Sequence, residues 1–371
     1  MKVPFVDLTR EANSIISELI EATNQVLLSG NYINGPKVNT FEKEFAEYCG
    51  VKHSISVGNG SDGLTLIMKA LSIGEGDEVI CPANSFIASA WTIRNVGAKP
   101  VFCDVNSDLL ISFESLQKCV TDRTKAIMPV HLTGKLCDMK PIVNFCNEKD
   151  IYIIEDSAQA FGACDDCGKK AGSFGLAGSF SLHPLKNLAV YGDGGVITTN
   201  SDELATKLRL LRNHGLINRD ECSEWGINSR LDELQASYAL VKMKYINNWT
   251  EEYISIAEKY NAGLDPSIDK PFTREGFTDV FHNYVIKVNP SIRDILMSKL
   301  DEKGVQTKIH YPIPLHLQPC AEELGYKEGD IPLVEHLSKS MISLPIYPSL
   351  KNEEINFVIE SVNYFYKELT F

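Results

Sequence analysis

From about residue 50 to residue 200, short apolar runs alternate with helix-length segments, and this alternation most constrains the fold. The runs 53–57, 78–81, 100–103, 126–129, 152–155, 178–181 and 195–198 read as strands. Between the earlier ones, residues 61–71, 86–96, 113–120 and 139–146 read as helices. Such alternation builds an α/β domain, a mostly parallel sheet covered on both faces. Ligands of such sheets gather at the carboxyl ends of the strands. After Arg230 the pattern becomes helical from Leu231 to about Asn261, and beyond Pro266 a strand over 283–288 and a helix over 293–303 follow. A boundary near residue 250 is expected. It separates a large domain, residues 1–250 with an N-terminal helical segment, from a smaller α+β domain, residues 251–371.

The chain of 371 residues has room for both. Its 44% hydrophobic and 23% charged residues are ordinary for a soluble enzyme. A formal charge of −13 argues against binding nucleic acid or an anionic membrane. It also means that an anionic substrate must meet a local cationic pocket. The start, Met1 to Arg10, lacks the apolar core of a signal peptide, and no apolar run approaches the roughly 18 residues of a membrane span. A cytoplasmic protein is expected. Cysteines such as Cys81 and Cys103 sit in strand-like runs, as small buried hydrophobes do. Cys164 and Cys167 have C-x-x-C spacing, but no second pair or matching histidines complete a zinc set. Asp165, Asp166 and Gly168 mark a turn there, so no metal site is expected.

Gly58, Gly60 and Gly63 follow a strand and open a helix, formally the dinucleotide fingerprint. The next strand, however, leads through Pro82 into Ala83-Asn84-Ser85 with no acid to hold a ribose, which argues against a nicotinamide cofactor. A phosphate cradle is more economical: Gly60 permits close approach, Ser61 offers a hydroxyl, and free helix amides supply positive potential. A plain capped helix would look the same. Phe86, next to the following helix, suits stacking on a planar ring, although alone it reads as core. The strand over 152–155 delivers Asp156, which alone is as often a cap or turn residue. Gln159 stands within reach of the same ring. Lys186 alone reads as a surface lysine, but Ser181 precedes it and Gly192-Asp193-Gly194-Gly195 follows. A strand-end carboxylate with a loop lysine of this kind suits pyridoxal phosphate. The amine holds the cofactor aldehyde as a Schiff base, and the carboxylate pairs with the protonated pyridine nitrogen.

These motifs are part of a longer series. It contains Val3-Pro4-Phe5-Val6-Asp7-Leu8, Ser29-Gly30 with Gly35-Pro36, Gly58-Asn59-Gly60-Ser61-Asp62-Gly63 and Pro82-Ala83-Asn84-Ser85-Phe86. It continues through His131-Leu132-Thr133-Gly134, Glu155-Asp156-Ser157-Ala158-Gln159, the Lys186 segment, Asn228 to Gln235 and Ile309-His310-Tyr311-Pro312. In this order the chain resembles, nearly end to end, the DegT/DnrJ/StrS family of pyridoxal-phosphate nucleotide-sugar aminotransferases. The resemblance implies the aspartate aminotransferase-like (type I) fold. It assigns Lys186 to the cofactor aldehyde, Asp156 to the pyridine nitrogen and Gln159 to the ring hydroxyl, with Phe86 stacked on the ring. Gly60, Ser61 and Ser181 would hold the phosphate, joined by Asn228 of the partner subunit in a homodimer with shared active sites.

Lysine rather than histidine at position 186 favours transamination over dehydration, with L-glutamate as donor by family analogy. The Gly192–Gly195, 228–235, 309–312 and 316–319 blocks are most similar to the branch that acts on dTDP-3-keto-6-deoxyhexoses in surface polysaccharide or glycosylated-metabolite synthesis. His310 and Tyr311 match a sugar- or diphosphate-contacting stretch of that branch. His183 stands where relatives are often aromatic, and Arg219 lies in a loop suited either to the diphosphate or to solvent. A 4-keto sugar linked to UDP or GDP is the alternative within the family, since the cofactor motifs are blind to the sugar. A non-catalytic regulator would call for an appended basic domain, for which the chain has no room.

Overall fold

The computed structural model describes residues 1–370. All seven expected strands form: β1 (His53–Val57), β2 (Glu78–Pro82), β3 (Lys99–Cys103), β4 (Thr124–Ile127), β5 (Tyr152–Asp156), β6 (Ala177–Ser181) and β7 (Gly195–Thr199). They make one sheet in the order β1-β7-β6-β5-β4-β2-β3. Only β7 runs against its neighbours, antiparallel to both β1 and β6. The sheet is therefore mostly parallel, with buried strands that read as apolar runs.

The reversed strand decides where the site lies. Its first residue, Gly195, pairs with the last residue of β1, Val57, and of β6, Ser181. Asp156 ends β5 opposite Ser179. The segments leaving β1, β5 and β6 thus emerge along one edge of the sheet beside the start of β7. Helices Gly60–Ala70 and Ile87–Asn95 then begin at that edge.

The C-terminal part carries a two-stranded antiparallel sheet of β8 (Tyr284–Lys287) and β9 (Met341–Leu344). The helices Pro290–Lys303 and Asn352–Thr370 accompany it. Tyr260, Tyr284, Leu296, Ile342 and Val358 form its core, and Val3 from the start of the chain joins them. Backbone bonds of 2.8 Å (Val3 to Gly304) and 3.0 Å (Gln306 to Val3) hold that early segment in place.

The long helix expected from Leu231 to about Asn261 is instead two helices, Glu233–Met243 and Ile246–Gly263. The first lies along helices Ile16–Ser29 and Pro36–Cys49. The second starts with Ile246 and Trp249 in that N-terminal core and ends with Tyr253, Ile256 and Tyr260 in the C-terminal one. Hydrophobic spacing does not register the break between the two helices, because both sides of it pack in the N-terminal core. The break falls at Lys244 and Tyr245, both of which hydrogen bond Glu18.

Cys164 and Cys167 occupy the expected turn: Asp165 Oδ1 accepts from the amides of Cys167 and Lys169, and Gly168 has φ 77°. Cys81 and Cys103 are buried in the core. Among the described residues, no helix is long and apolar enough to cross a membrane.

Candidate active site

A cavity of about 520 Å³ opens at the strand-end edge, a volume in the range of small-molecule sites. It gathers Gly60, Ser61, Phe86, Asp156, Gln159, Ser181, His183, Lys186, His310 and Tyr311 from five separate segments of chain. Asn228 and Arg219 do not line it; both are exposed, Arg219 in the loop between Gly215 and Gly226.

Two adjacent carboxylates divide the work at the end of β5. Successive strand residues point to opposite faces. Glu155, fully buried, accepts from the amides of Gly172, Phe174 and Gly175 and lies 2.9 Å from His131 Nε2, so it anchors the following loop. Asp156, 7% exposed, faces the cavity. Its Oδ2 accepts a 2.7 Å bond from Ser89 Oγ, and its Oδ1 a 3.2 Å bond from the Ala158 amide.

Lys186 reaches the cavity from the loop after β6. Burial pushes its amine down to about 8, while Asp156 pulls the other way. A lysine that gives up its proton near neutrality is a competent nucleophile and base. The loop is fixed by a 2.8 Å bond from the Leu182 amide to Gly194 O and another from the Val190 amide to Leu182 O. Asn187, next in sequence, donates to Val280 O at 2.9 Å.

The helix Gly60–Ala70 starts against the strand edge. Asn59 caps it by accepting from the Asp62 amide at 2.8 Å. A Cβ at Gly60 would stand 3.1 Å from Ser181 Cβ, and one at Gly195 would stand 2.4 Å from Asn59 C. The glycines therefore let backbone, helix amides and Ser181 crowd one spot, an anion cradle by charge and by space.

Gln159 Oε1 accepts from the Thr133 amide at 2.7 Å, and its Nε2 donates to Tyr311 Oη at 3.2 Å. Burial and Asp156 push the Tyr311 phenol up to about 12. His310 Nδ1 lies 2.8 Å from Ser343 Oγ; burial, with Lys186 and Lys308, brings its ring down to about 4. Phe86 is 56% exposed at the cavity wall, 6.0 Å from the Tyr311 ring centroid.

Sequence reasoning missed several residues. Ser85 and Ser89 stand one helical turn apart, with 2.6 Å between their hydroxyls, and that i, i+4 spacing was a usable signal. Asp193 and His282, which line the cavity, and Thr133, which holds Gln159, gave none, because the tertiary fold alone brings them there.

Comparison with known proteins fits this geometry. The model of the DegT/DnrJ/EryC1/StrS aminotransferase family matches residues 13–363, which span every segment of the cavity. This chain belongs to that family. Among DegT/DnrJ/EryC1/StrS relatives, the dTDP-3-amino-3,6-dideoxy-α-D-galactopyranose transaminase of Aneurinibacillus thermoaerophilus is 42% identical over 97% of this chain and 99% of its own. A protein of Geobacillus stearothermophilus named pleiotropic regulatory protein is 40% identical over 99% of both chains. A UDP-N-acetyl-3-dehydro-α-D-glucosamine 3-aminotransferase of Acidithiobacillus ferrooxidans is 37% identical over 95% of both.

Solved structures of the family superpose closely. DesV of S. venezuelae, in complex with a ketimine intermediate, has a TM-score of 0.95 at 37% identity, covering 98% of both chains. NtdA of Bacillus subtilis, with its cofactor PMP bound, has a TM-score of 0.92 at 33% identity over 99% of this chain and 85% of that one. The type I aminotransferase architecture expected from the sequence is thus the fold of this chain.

Proposed function

We propose that this aminotransferase uses pyridoxal phosphate to move an amino group from L-glutamate to C3 of a dTDP-3-keto-6-deoxyhexose, giving a dTDP-3-amino-3,6-dideoxyhexose. The observation that carries the chemistry is the pairing, in one cavity, of a lysine amine lowered to about 8 with the fixed carboxylate of Asp156. The sugar assignment is supported by the Aneurinibacillus relative, alike along almost its whole length.

The residues fit the cofactor. The Gly60–Ser61 helix start and Ser181 form a cradle that added Cβ atoms would fill, suited to a phosphate. Asp156 would keep a ring nitrogen protonated, and Gln159 would face the ring hydroxyl. Phe86 on one wall and Ala158 among the lining residues would leave a slot for a flat ring. Bound there, the cofactor supplies an electron sink for the carbon that loses its proton.

The rest falls to the chain. Lys186 Nζ would hold the cofactor between turnovers and, when freed, would act as the base that moves the proton of the reacting carbon. One lysine serves both halves, so the kinetics are ping-pong. His183, His310 and Tyr311 line the part of the cavity open to the sugar.

A homodimer completes the site in this reading. The helix Ile16–Ser29 leaves Ile16, Ile20, Leu27 and Leu28 exposed, and Tyr32 follows. Such a stripe calls for a covering partner. Asn228 of the partner subunit would then join the phosphate contacts, and Arg219, in its exposed loop, would supply positive charge toward the diphosphate. Light scattering would show a dimer.

Purified, cofactor-loaded protein with L-glutamate tests the substrate. It is offered dTDP-3-keto-6-deoxyglucose, its C4 epimer, UDP-linked 3-keto sugars and UDP- or GDP-4-keto sugars, with products read by NMR. An amine at C3 of a dTDP sugar is expected. Amination of a UDP sugar alone, or at C4 alone, would overturn the sugar assignment while leaving the aminotransferase intact.

A further inference from the structure

His282 lines the cavity between β8 and the loop after β4, beside Lys186, His183 and His310. Its backbone is tied on both sides. The Val280 amide donates to Gly134 O at 2.8 Å, and the Asn283 amide to Thr133 O at 3.3 Å. Asn187 Nδ2, adjacent to Lys186, donates to Val280 O. Gly134, with φ 87°, lets the segment come so close that a Cβ there would stand 2.7 Å from His282 N. Thr133 also holds Gln159. The clamp that places His282 is therefore the same one that places Gln159 and the residue after Lys186.

The three cavity imidazoles differ in what they have left to offer. His183 Nδ1 accepts from the Leu185 amide at 3.3 Å, and His310 Nδ1 is engaged with Ser343. Among the described residues, neither ring nitrogen of His282 has a protein hydrogen-bond partner. Burial, reinforced by Lys186, His310 and His183, holds this ring well below the ordinary imidazole range. It is neutral at physiological pH and presents one donor and one acceptor, the complement of a hydroxyl and a poor match for a carboxylate.

We propose that His282 is a specificity-determining residue that hydrogen bonds the sugar hydroxyl on a carbon next to the one receiving the amine, an assignment that rests on the function proposed above. Lys186 must reach the reacting carbon to move its proton, so a side chain flanking Lys186 meets the substituents of the neighbouring carbons. At those positions the glutamate donor carries its α-carboxylate and a methylene, and has no hydroxyl for His282 to read. His282 accordingly acts in the sugar half-reaction alone. A site built to bond a hydroxyl discriminates strongly against analogues lacking it.

The test uses the holoenzyme with His282→Phe and His282→Gln. Each half-reaction is followed separately by cofactor absorbance. Calorimetry measures binding of the dTDP-3-amino sugar, and of its 2-deoxy and 4-deoxy analogues, to the pyridoxamine form, which cannot react with them. In His282→Phe the amino sugar is expected to bind on the order of tenfold more weakly, one deoxy analogue is expected to bind as in wild type, and the glutamate half-reaction is unchanged. His282→Gln retains a donor and an acceptor and recovers most of the affinity. Equal slowing of both half-reactions, or unchanged sugar affinity in His282→Phe, would overturn the assignment. Failure of the wild-type protein to aminate any sugar nucleotide would sink the proposed function before a variant is read.

Discussion

Ser89 Oγ donates a 2.7 Å hydrogen bond to Asp156 Oδ2, and Ser85 Oγ stands 2.6 Å behind it. The chain of hydroxyls runs through buried wall and keeps the Asp156 carboxylate oriented. A hydrogen bond to a charged group contributes about 1.5–3 kcal/mol. Ser89→Ala should therefore lower kcat roughly tenfold or more with little change in KM for glutamate. Ser89→Thr, which keeps the hydroxyl, should recover most of the rate. Steady-state kinetics of the three proteins decide it, and an unchanged kcat in the alanine variant would refute the role.

Lys186 should leave a mark on stability before any cofactor is added. Its folded-state amine is lowered to about 8 from 10.5. Between those values the unfolded chain binds the proton and the folded chain does not. Stability therefore rises with pH across about 8 to 10.5, with the penalty complete below and absent above. Denaturation of cofactor-free protein over that range should show this rise against Lys186→Met, which lacks the group. The variant should also have no transaminase activity.

Neighbouring carboxylates Glu155 and Asp156 should fail in opposite ways. Glu155→Gln disturbs a fully buried acceptor of three loop amides. Breaking such a buried network costs about 3–5 kcal/mol and should appear as a large drop in the urea midpoint. Asp156→Asn, facing the cavity, should keep its midpoint close to wild type and lose activity. Equal effects in both assays would contradict the division.

Gly195→Ala puts a Cβ 2.4 Å from Asn59 C and 2.7 Å from Gly60 N. Neither backbone atom can yield without moving the helix start. Overpacking of this kind costs about 1–3 kcal/mol. A lower melting temperature together with weaker cofactor binding is expected, the latter read by absorbance titration. Weaker stability with unchanged cofactor affinity would place the phosphate elsewhere.

Strand runs and the first helices were legible because each buries an apolar face whose period is local. Asp156, Lys186 and the Gly60–Ser61 helix start were legible too, since each stands at a strand end or beside glycines that punctuate the chain. Local spacing failed at Lys244–Tyr245, where one apolar pattern continues in the same core across the break between two helices. It was silent about His282, whose position depends on Gly134, Thr133 and Asn187.

The amino-acid sequence by itself determined the α/β class, the lysine and carboxylate that meet in the cavity, and the family to which the chain belongs. Those properties reside in residue types and short spacings. The tertiary structure alone decided that β7 runs backwards between β1 and β6, so that Gly195 meets Val57 and Ser181. It also decided that Glu155 anchors a loop while Asp156 faces the cavity, and that His282 stands beside Lys186. Each of these is a pairing of segments distant in the chain, and close packing at one strand edge selects them.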